Sequence, residues 1–173
     1  MRKEATLFGD KVVISDQALS SRIFNKGQFG TFNDGKLELS LEEALYLKEK
    51  KELSIYNRDG KMFSFKDFTK KAEKINKRFW IRYVVFRNLR SSGYILKTAF
   101  KYGGDFRVYD KGDFPGEEHA GWILYAVDEH ESIPFLTFGA INRVAHSVKK
   151  KLVLGIVDDE NSVTYYEINW VRF

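Results

Sequence analysis

The 173-residue chain contains no cysteine, and that absence removes a group of chemistries at once. Disulfide scaffolding, thiolate nucleophiles and cysteine-ligated zinc are all excluded. Proline is scarce, with two residues in the chain, and no Pro/Gly-rich stretch marks a linker. No run approaches the ~18 uninterrupted apolar residues of a membrane-spanning helix. The N-terminal Met1-Arg2-Lys3-Glu4-Ala5-Thr6 lacks the apolar core of a signal peptide. There is no internal repeat and no low-complexity segment, and the glycine-containing turns are too short to cradle a nucleotide. The expectation is a soluble, cytoplasmic protein.

What is present is a globular composition. Hydrophobic residues make up 43% and aromatics 16%, too apolar for disorder, and a chain of this length can bury a core in one domain or two small ones. The formal net charge of +5 suits a nucleic-acid partner. Its distribution tells more than its total. Residues 1–78 hold 17 Lys+Arg against 12 Asp+Glu, whereas residues 79–173 hold 12 of each. Inside the second half the signs are sorted: residues 82–111 carry seven basic side chains against Asp105 and Asp110. Residues 143–151 carry four bases and no acid, while acids collect in residues 113–131 and at Asp158-Asp159-Glu160. Such sorting creates a local phosphate-attracting field; the plain alternative is a set of solvated faces of mixed charge.

The pattern predicts a strand over 11–15, then strands over 28–31 and 36–39 around Asn33-Asp34-Gly35, a turn whose residues tolerate positive φ. Ser40-Leu-Glu-Glu43 is a capping box opening a helix through Leu47. A strand at 53–56 turns at Asn57-Arg-Asp-Gly60. Ser64 caps a helical region in which Phe65, Phe68, Ala72 and Ile75 recur at helical spacing. A second apolar helix over about 79–89 ends at Ser91-Ser92-Gly93, where glycine is the favoured stop. The domain boundary is placed near Arg78. Beyond it, strands are expected at 94–99, 105–109, 121–127, 151–157 and 163–173. A helix over 136–148 buries Phe138, Ile141, Ala145 and Val148. Strands around one strong helix make a compact α/β layer.

Two stretches carry the chemistry. Residues 102–112 read Tyr-Gly-Gly-Asp-Phe-Arg-Val-Tyr-Asp-Lys-Gly and precede His119; residues 143–151 read Arg-Val-Ala-His-Ser-Val-Lys-Lys-Lys. A tyrosine, a histidine and a lysine spread in this way form a metal-free kit for cleaving RNA at phosphate. Attack by the RNA's own 2′-hydroxyl requires a proton acceptor, a proton donor to the leaving 5′-oxygen, and a cation beside the charged phosphorane. Imidazole, with a pKa near ~6.5, makes His119 a workable acid in its polar loop Gly116-Glu117-Glu118-His119. Tyr109, a phenol near ~10, is a weak base at neutral pH unless a cation lowers it, and its plain reading is a strand aromatic. Lys150 reads equally as a favourable charge at a helix C-terminus, a description that Lys149 and Lys151 share. His130 and His146 lack the close His/Asp/Glu spacing of a zinc site and are read as non-ligands. His146, within the helix, is read as structural. No metal and no cofactor are implied.

On these stretches the chain resembles the archaeal tRNA-splicing endonucleases, the tRNA-intron lyases, over nearly its whole length and most densely across residues 83–173. The resemblance implies an α+β (mixed α/β) fold: a small N-terminal α/β domain at 1–78 and a nuclease-like catalytic C-terminal α/β domain with a mixed sheet at 79–173. In the family's pattern a tyrosine ends the Asp-Phe-Arg-x-Tyr strand, a histidine stands just before the next strand, and a lysine is the second basic residue after His-Ser-Val. Tyr109, His119 and Lys150 match these positions. The implied roles are general base, general acid and electrostatic stabiliser, with a hydrogen bond from Tyr109 to the 2′-OH or phosphate as the alternative to proton abstraction. Arg143 and Trp170 match positions that clamp a flipped bulge base. Many relatives have arginine where this chain has Trp170, and an indole stacks on a base as well; an edge-strand aromatic covering an interface is the other reading. Asp158, Asp159 and Glu160 match an acidic loop that docks into a basic cleft on another subunit.

The implied substrate is precursor tRNA with a bulge-helix-bulge, cut without metal to leave 2′,3′-cyclic phosphate and 5′-hydroxyl ends. The implied assembly is a homotetramer, or a heterotetramer with a structural subunit. Two other readings compete with this one. A non-catalytic RNA-binding subunit of the same assembly is disfavoured because all three catalytic positions are filled. A metal-dependent nuclease needs an acidic pair followed by Glu-x-Lys, and no Glu-x-Lys follows the acids of the second half.

Overall fold

A computed structural model describes residues 4–116, 119–171 and 173 of the chain. Glu117 and Glu118 of the polar loop, and Arg172 in the last expected strand, lie outside the described residues. The chain divides into two compact units, Met1–Trp80 and Ile81–Phe173, each built on a five-stranded mixed sheet. Among the described residues no helix is long and apolar enough to cross a membrane.

The first unit runs β1 (Glu4–Phe8), β2 (Lys11–Ile14), α1 (Gln17–Gly27), β3 (Thr31–Asn33), β4 (Lys36–Leu39), α2 (Leu41–Glu49), β5 (Ser54–Tyr56) and α3 (Phe65–Ile75). Its sheet order is β3-β4-β2-β1-β5, with β1 and β5 parallel. Asp34 and Gly35 take positive φ, 47° and 74°, and close the β3–β4 hairpin as expected of that turn. The Ser40 capping box is formed, Ser40 Oγ accepting from Glu43 N at 3.2 Å and Glu43 Oε2 accepting from Ser40 N at 2.9 Å. Ser64 caps α3 by accepting from Asp67 N at 3.0 Å. The strand expected from Gln28 begins only at Thr31, because Gln28 is the left-handed C-cap of α1. That helix escapes the hydrophobic pattern: it buries only Leu19, Ser20 and Ile23. Its start is fixed instead by Asp16, whose Oδ1 accepts from Leu19 N at 2.6 Å.

The second unit comprises α4 (Phe79–Ser91, whose first two residues fall in the first unit), β6 (Ile95–Thr98), β7 (Phe106–Tyr109), β8 (Trp122–Asp128), α5 (Phe135–Ser147), β9 (Lys151–Val157) and β10 (Val163–Ile168). Sheet order is β10-β9-β8-β7-β6. All neighbours are antiparallel except β8 and β9, a parallel pair joined through α5. The sheet is covered on both faces. Leu152 of β9 packs with Ile141 and Ala145 of α5, whereas a Cβ at Gly155 would lie 3.3 Å from Val85 of α4. Residues three apart on a strand point to opposite faces, so α4 and α5 sit on opposite sides. Tyr165 of β10 donates to Asn88 Oδ1 of α4 at 2.8 Å, and burial pushes its phenol pKa up.

A buried ion pair fixes α4 to the sheet. Arg82 Nη1 lies 3.0 Å from Asp105 Oδ1, and Asp105 Oδ2 accepts from Ala126 N at 2.8 Å. The two glycines before Asp105 serve the same junction. Gly103 has φ +69°, and a Cβ on Gly104 would lie 2.4 Å from Ile123 Cγ2, closer than any real contact. The last strand is shorter than the alternation suggests: β10 stops at Ile168, and Asn169 and Trp170 leave the sheet.

Candidate active site

The end of α5 determines which lysine faces the sheet. Val148 is the C-cap, and Lys149 follows with φ 56°. Lys149 N donates to His146 O at 3.0 Å and Lys150 N to Ala145 O at 2.9 Å, the paired bonds of a Schellman motif. The left-handed residue reverses the chain, and Lys150 becomes the link between helix and β9. Its Nζ donates to the Ala120 carbonyl at 2.6 Å. Lys151 instead pairs with Glu167 Oε1 at 3.0 Å, and Lys149 stays exposed. The three consecutive lysines, indistinguishable by charge and spacing, thus have different tasks.

Ala120 is where the three candidate residues meet. Its side chain packs with Tyr109 and Ile95 in a small buried cluster, its carbonyl receives Lys150, and His119 immediately precedes it. The loop leaving β7 after Tyr109 therefore returns to the same end of the sheet, an arrangement continued by the bond from Gly121 N to Val108 O at 3.1 Å. Tyr109 is only 4% exposed, held at the end of β7 opposite Ile95. His119 is exposed. Lys150 is half-buried; partial desolvation, reinforced by the Arg107 charge, holds its pKa below 10.5. A buried phenol, an exposed imidazole and a partly desolvated ammonium thus belong to residues gathered at one end of the sheet around Ala120.

Arg143 lies exposed on α5, its Nη1 3.4 Å from where a Cβ would stand on Gly139. One turn later the His146 ring stacks against Trp170, with centroids 4.5 Å apart and planes 31° from parallel. Trp170 remains 50% exposed. Trp170 thus lies beyond the end of β10 and packs against α5 through the His146 ring.

The acidic turn between β9 and β10 is less uniform than its sequence. Asp158 Oδ1 accepts from Glu160 N at 2.9 Å and Ser162 N at 2.8 Å, so this carboxylate builds the turn. Asp159 pairs with His130 Nε2 at 3.3 Å while its amide donates to Glu129 Oε1 at 2.9 Å. Glu160 is exposed, with no side-chain partner among the described residues. Glu129, His130 and Asp159 bring their ligand-type atoms within 4.8 Å of one another, a juxtaposition that linear spacing around the histidines did not anticipate. All three are exposed, and they form an ion-paired turn.

Two contributions were missed from the sequence. Asp105, read as part of a catalytic string, is buried scaffolding. Arg107, two residues before Tyr109 on the same strand, lies close enough for its charge to depress Lys150; the i, i+2 alternation of a strand was the available signal.

Two family profiles match the chain: "tRNA intron endonuclease, catalytic C-terminal domain" over residues 79–165 and "tRNA intron endonuclease, N-terminal domain" over residues 3–69. Fold, site and matches define a class, the two-domain tRNA intron endonucleases. Proteins named tRNA-splicing endonuclease are similar to it along its length. That of Methanothermobacter thermautotrophicus is 36% identical over 172 residues, covering 99% of each chain. That of Thermococcus onnurineus is 38% identical over 170 residues, covering 98% of this chain and 97% of the relative. That of Nanoarchaeum equitans is 41% identical over 172 residues, covering 96% and 97%. The chain belongs to the tRNA-splicing endonuclease family.

Proposed function

We propose that this protein cuts precursor tRNA at its intron–exon junctions, recognising a bulge-helix-bulge, by metal-independent transesterification. The 2′-oxygen attacks the adjacent phosphorus as its proton passes to Tyr109 in its phenolate form, or leaves to solvent while the Tyr109 hydroxyl hydrogen-bonds the 2′-oxygen or the phosphate. The bond from phosphorus to the 5′-oxygen then breaks, and His119 donates a proton to the departing oxygen. The products are a 2′,3′-cyclic phosphate and a 5′-hydroxyl. Lys150 stabilises the charge on the non-bridging oxygens, most strongly in a partly desolvated site. Arg143 and Trp170 hold the bulge base between them by stacking. The observation that carries this reading is the Ala120 junction, where Lys150 Nζ is 2.6 Å from the carbonyl that follows His119 and Tyr109 packs on the same residue.

Cutting both ends of an intron calls for paired sites, hence a symmetric oligomer. The exposed Phe135 (91%) and Leu136 (81%) at the start of α5, and the open edge of β10, support association. A homotetramer is the proposed state, with a structural second subunit as the variation on it.

The test is incubation of the purified chain with an intron-bearing precursor tRNA in excess chelator, with analysis of the ends. Cutting should persist and leave cyclic phosphates; loss of cutting under chelator, or 3′-hydroxyl ends, overturns the mechanism. In the same assay His119→Ala should slow cleavage ~10²–10⁴-fold with RNA affinity little changed.

A further inference from the structure

Arg107 has no role in the scheme above, yet its placement is specific. It precedes Tyr109 by two residues on β7, so both side chains emerge on one face of the sheet. Register puts Lys97 of β6 beside Arg107 and Ile95 beside Tyr109. Arg107's partner on β8 is Ile123, which packs in the cluster formed with α5. The face that Arg107 shares is therefore the α5 face, the side from which Lys150 arrives.

The guanidinium is held at one corner and open at the other. Its Nε donates to the Thr98 carbonyl at 3.3 Å, and the group lies 6.0 Å from the Tyr102 ring centroid. Among the described residues no carboxylate pairs with its two terminal nitrogens. The charged neighbour it does affect is another cation, Lys150, whose pKa it depresses. Two like charges on one surface, one of them partly desolvated, repel when the site is empty and are relieved by an anion placed between or beside them. A guanidinium whose terminal Nη1/Nη2 edge is open matches a phosphodiester bidentately, which an ammonium does not.

We propose that Arg107 is a second phosphate-binding cation of this site, gripping the RNA backbone at the phosphate next to the scissile one. The offset comes from the strand: two residues carry Arg107 ~6.6 Å from Tyr109 along β7, away from the reacting phosphorus. Its contribution is to substrate binding and strand alignment, complementary to the charge stabilisation supplied by Lys150. This inference rests on the RNA-cleaving reading above.

The experiment measures binding of a bulge-helix-bulge RNA carrying 2′-deoxy nucleotides at both cleavage positions, so that it cannot be cut, across a salt series. Arg107→Ala should weaken binding ~10-fold or more, the usual worth of a hydrogen bond to a charged group. It should also lower the slope of log Kd against log salt by ~0.7–0.9, one phosphate contact. Arg107→Lys should restore the slope while recovering affinity only in part. With cleavable RNA, Arg107→Ala should raise KM with kcat within ~3-fold, the signature of uniform binding. If Arg107→Ala melts below the assay temperature, Arg107→Gln, which removes the charge but keeps a side-chain N–H, gives the same comparison. Parental affinity and slope in the uncharged variants overturn the proposal even while the wild type cuts. A wild-type chain that neither binds nor cuts this RNA overturns the functional reading itself.

Discussion

Lys149, Lys150 and Lys151 show how much a single dihedral decides. Charge and spacing treat them alike, and their resemblance to a family motif was the only ground for preferring Lys150 in the sequence. The distinction is physical: Lys149 occupies a left-handed cap position at some cost for a side chain with a Cβ. Lys149→Gly should therefore raise stability by ~1 kcal/mol and leave cleavage near the parental rate, whereas Lys150→Ala should fold normally and cut slowly. Thermal unfolding and single-turnover kinetics on both variants check this pair of outcomes. Asp105 is the reverse case. It stood in the most recognisable string of the chain, yet its carboxylate serves Arg82 and the Ala126 amide in the interior. Asp105→Ala removes the carboxylate that balances a buried guanidinium and should cost ~3–5 kcal/mol, read from chemical denaturation. Asp105→Asn, which keeps an acceptor for the amide, should cost less. Burial was not legible there because an Asp beside Phe-Arg-Val-Tyr looks like a polar strand entrance.

At the scale of elements, the helices and strands with strong periodicity or good caps were legible: α2 from its capping box, α3 from its apolar stripe, β9 to the residue. The failures have two causes. α1 buries a thin stripe and is set by the Asp16 cap, and β10 ends before its aromatic alternation does, because Trp170 is recruited by His146. In α1 a local cap does what a hydrophobic stripe does elsewhere, and in β10 a long-range partner overrides local pattern. The turn between β9 and β10 depends on such a partner too. Pairing with Asp159, with help from Glu129, raises the His130 pKa above the ordinary imidazole value of 6.5. A raised imidazole pKa means the pair's contribution is complete below pH 6.5 and fades as pH climbs through the folded-state value. The His130 ring should titrate above 6.5 by NMR, and Asp159→Asn should bring its midpoint down. An unshifted midpoint in the parent would show the pair is not formed in solution.

For the whole molecule, the three acids of that turn divide into a builder, a pairer and an exposed carboxylate. Neutralising all of them together would confound a collapsed turn with a lost contact, since Asp158 accepts two backbone hydrogen bonds. Glu160→Lys alone should lower the sedimenting mass if the turn docks on a basic surface of another copy, with the fold intact by circular dichroism. An unchanged mass would assign association to the apolar surface around Phe135, Leu136 and β10 instead. The parallel pair β8–β9 gives these roles their independence. Ala120 and Lys150 stand where the two strands begin; Glu129 and the acidic turn stand where they end, beyond strands of seven residues each, or ~23 Å. A lineage can accordingly rewrite its choice of neighbour at one tip of this rod without retuning the proton traffic at the other, so partner exchange and loss of chemistry need not evolve in step.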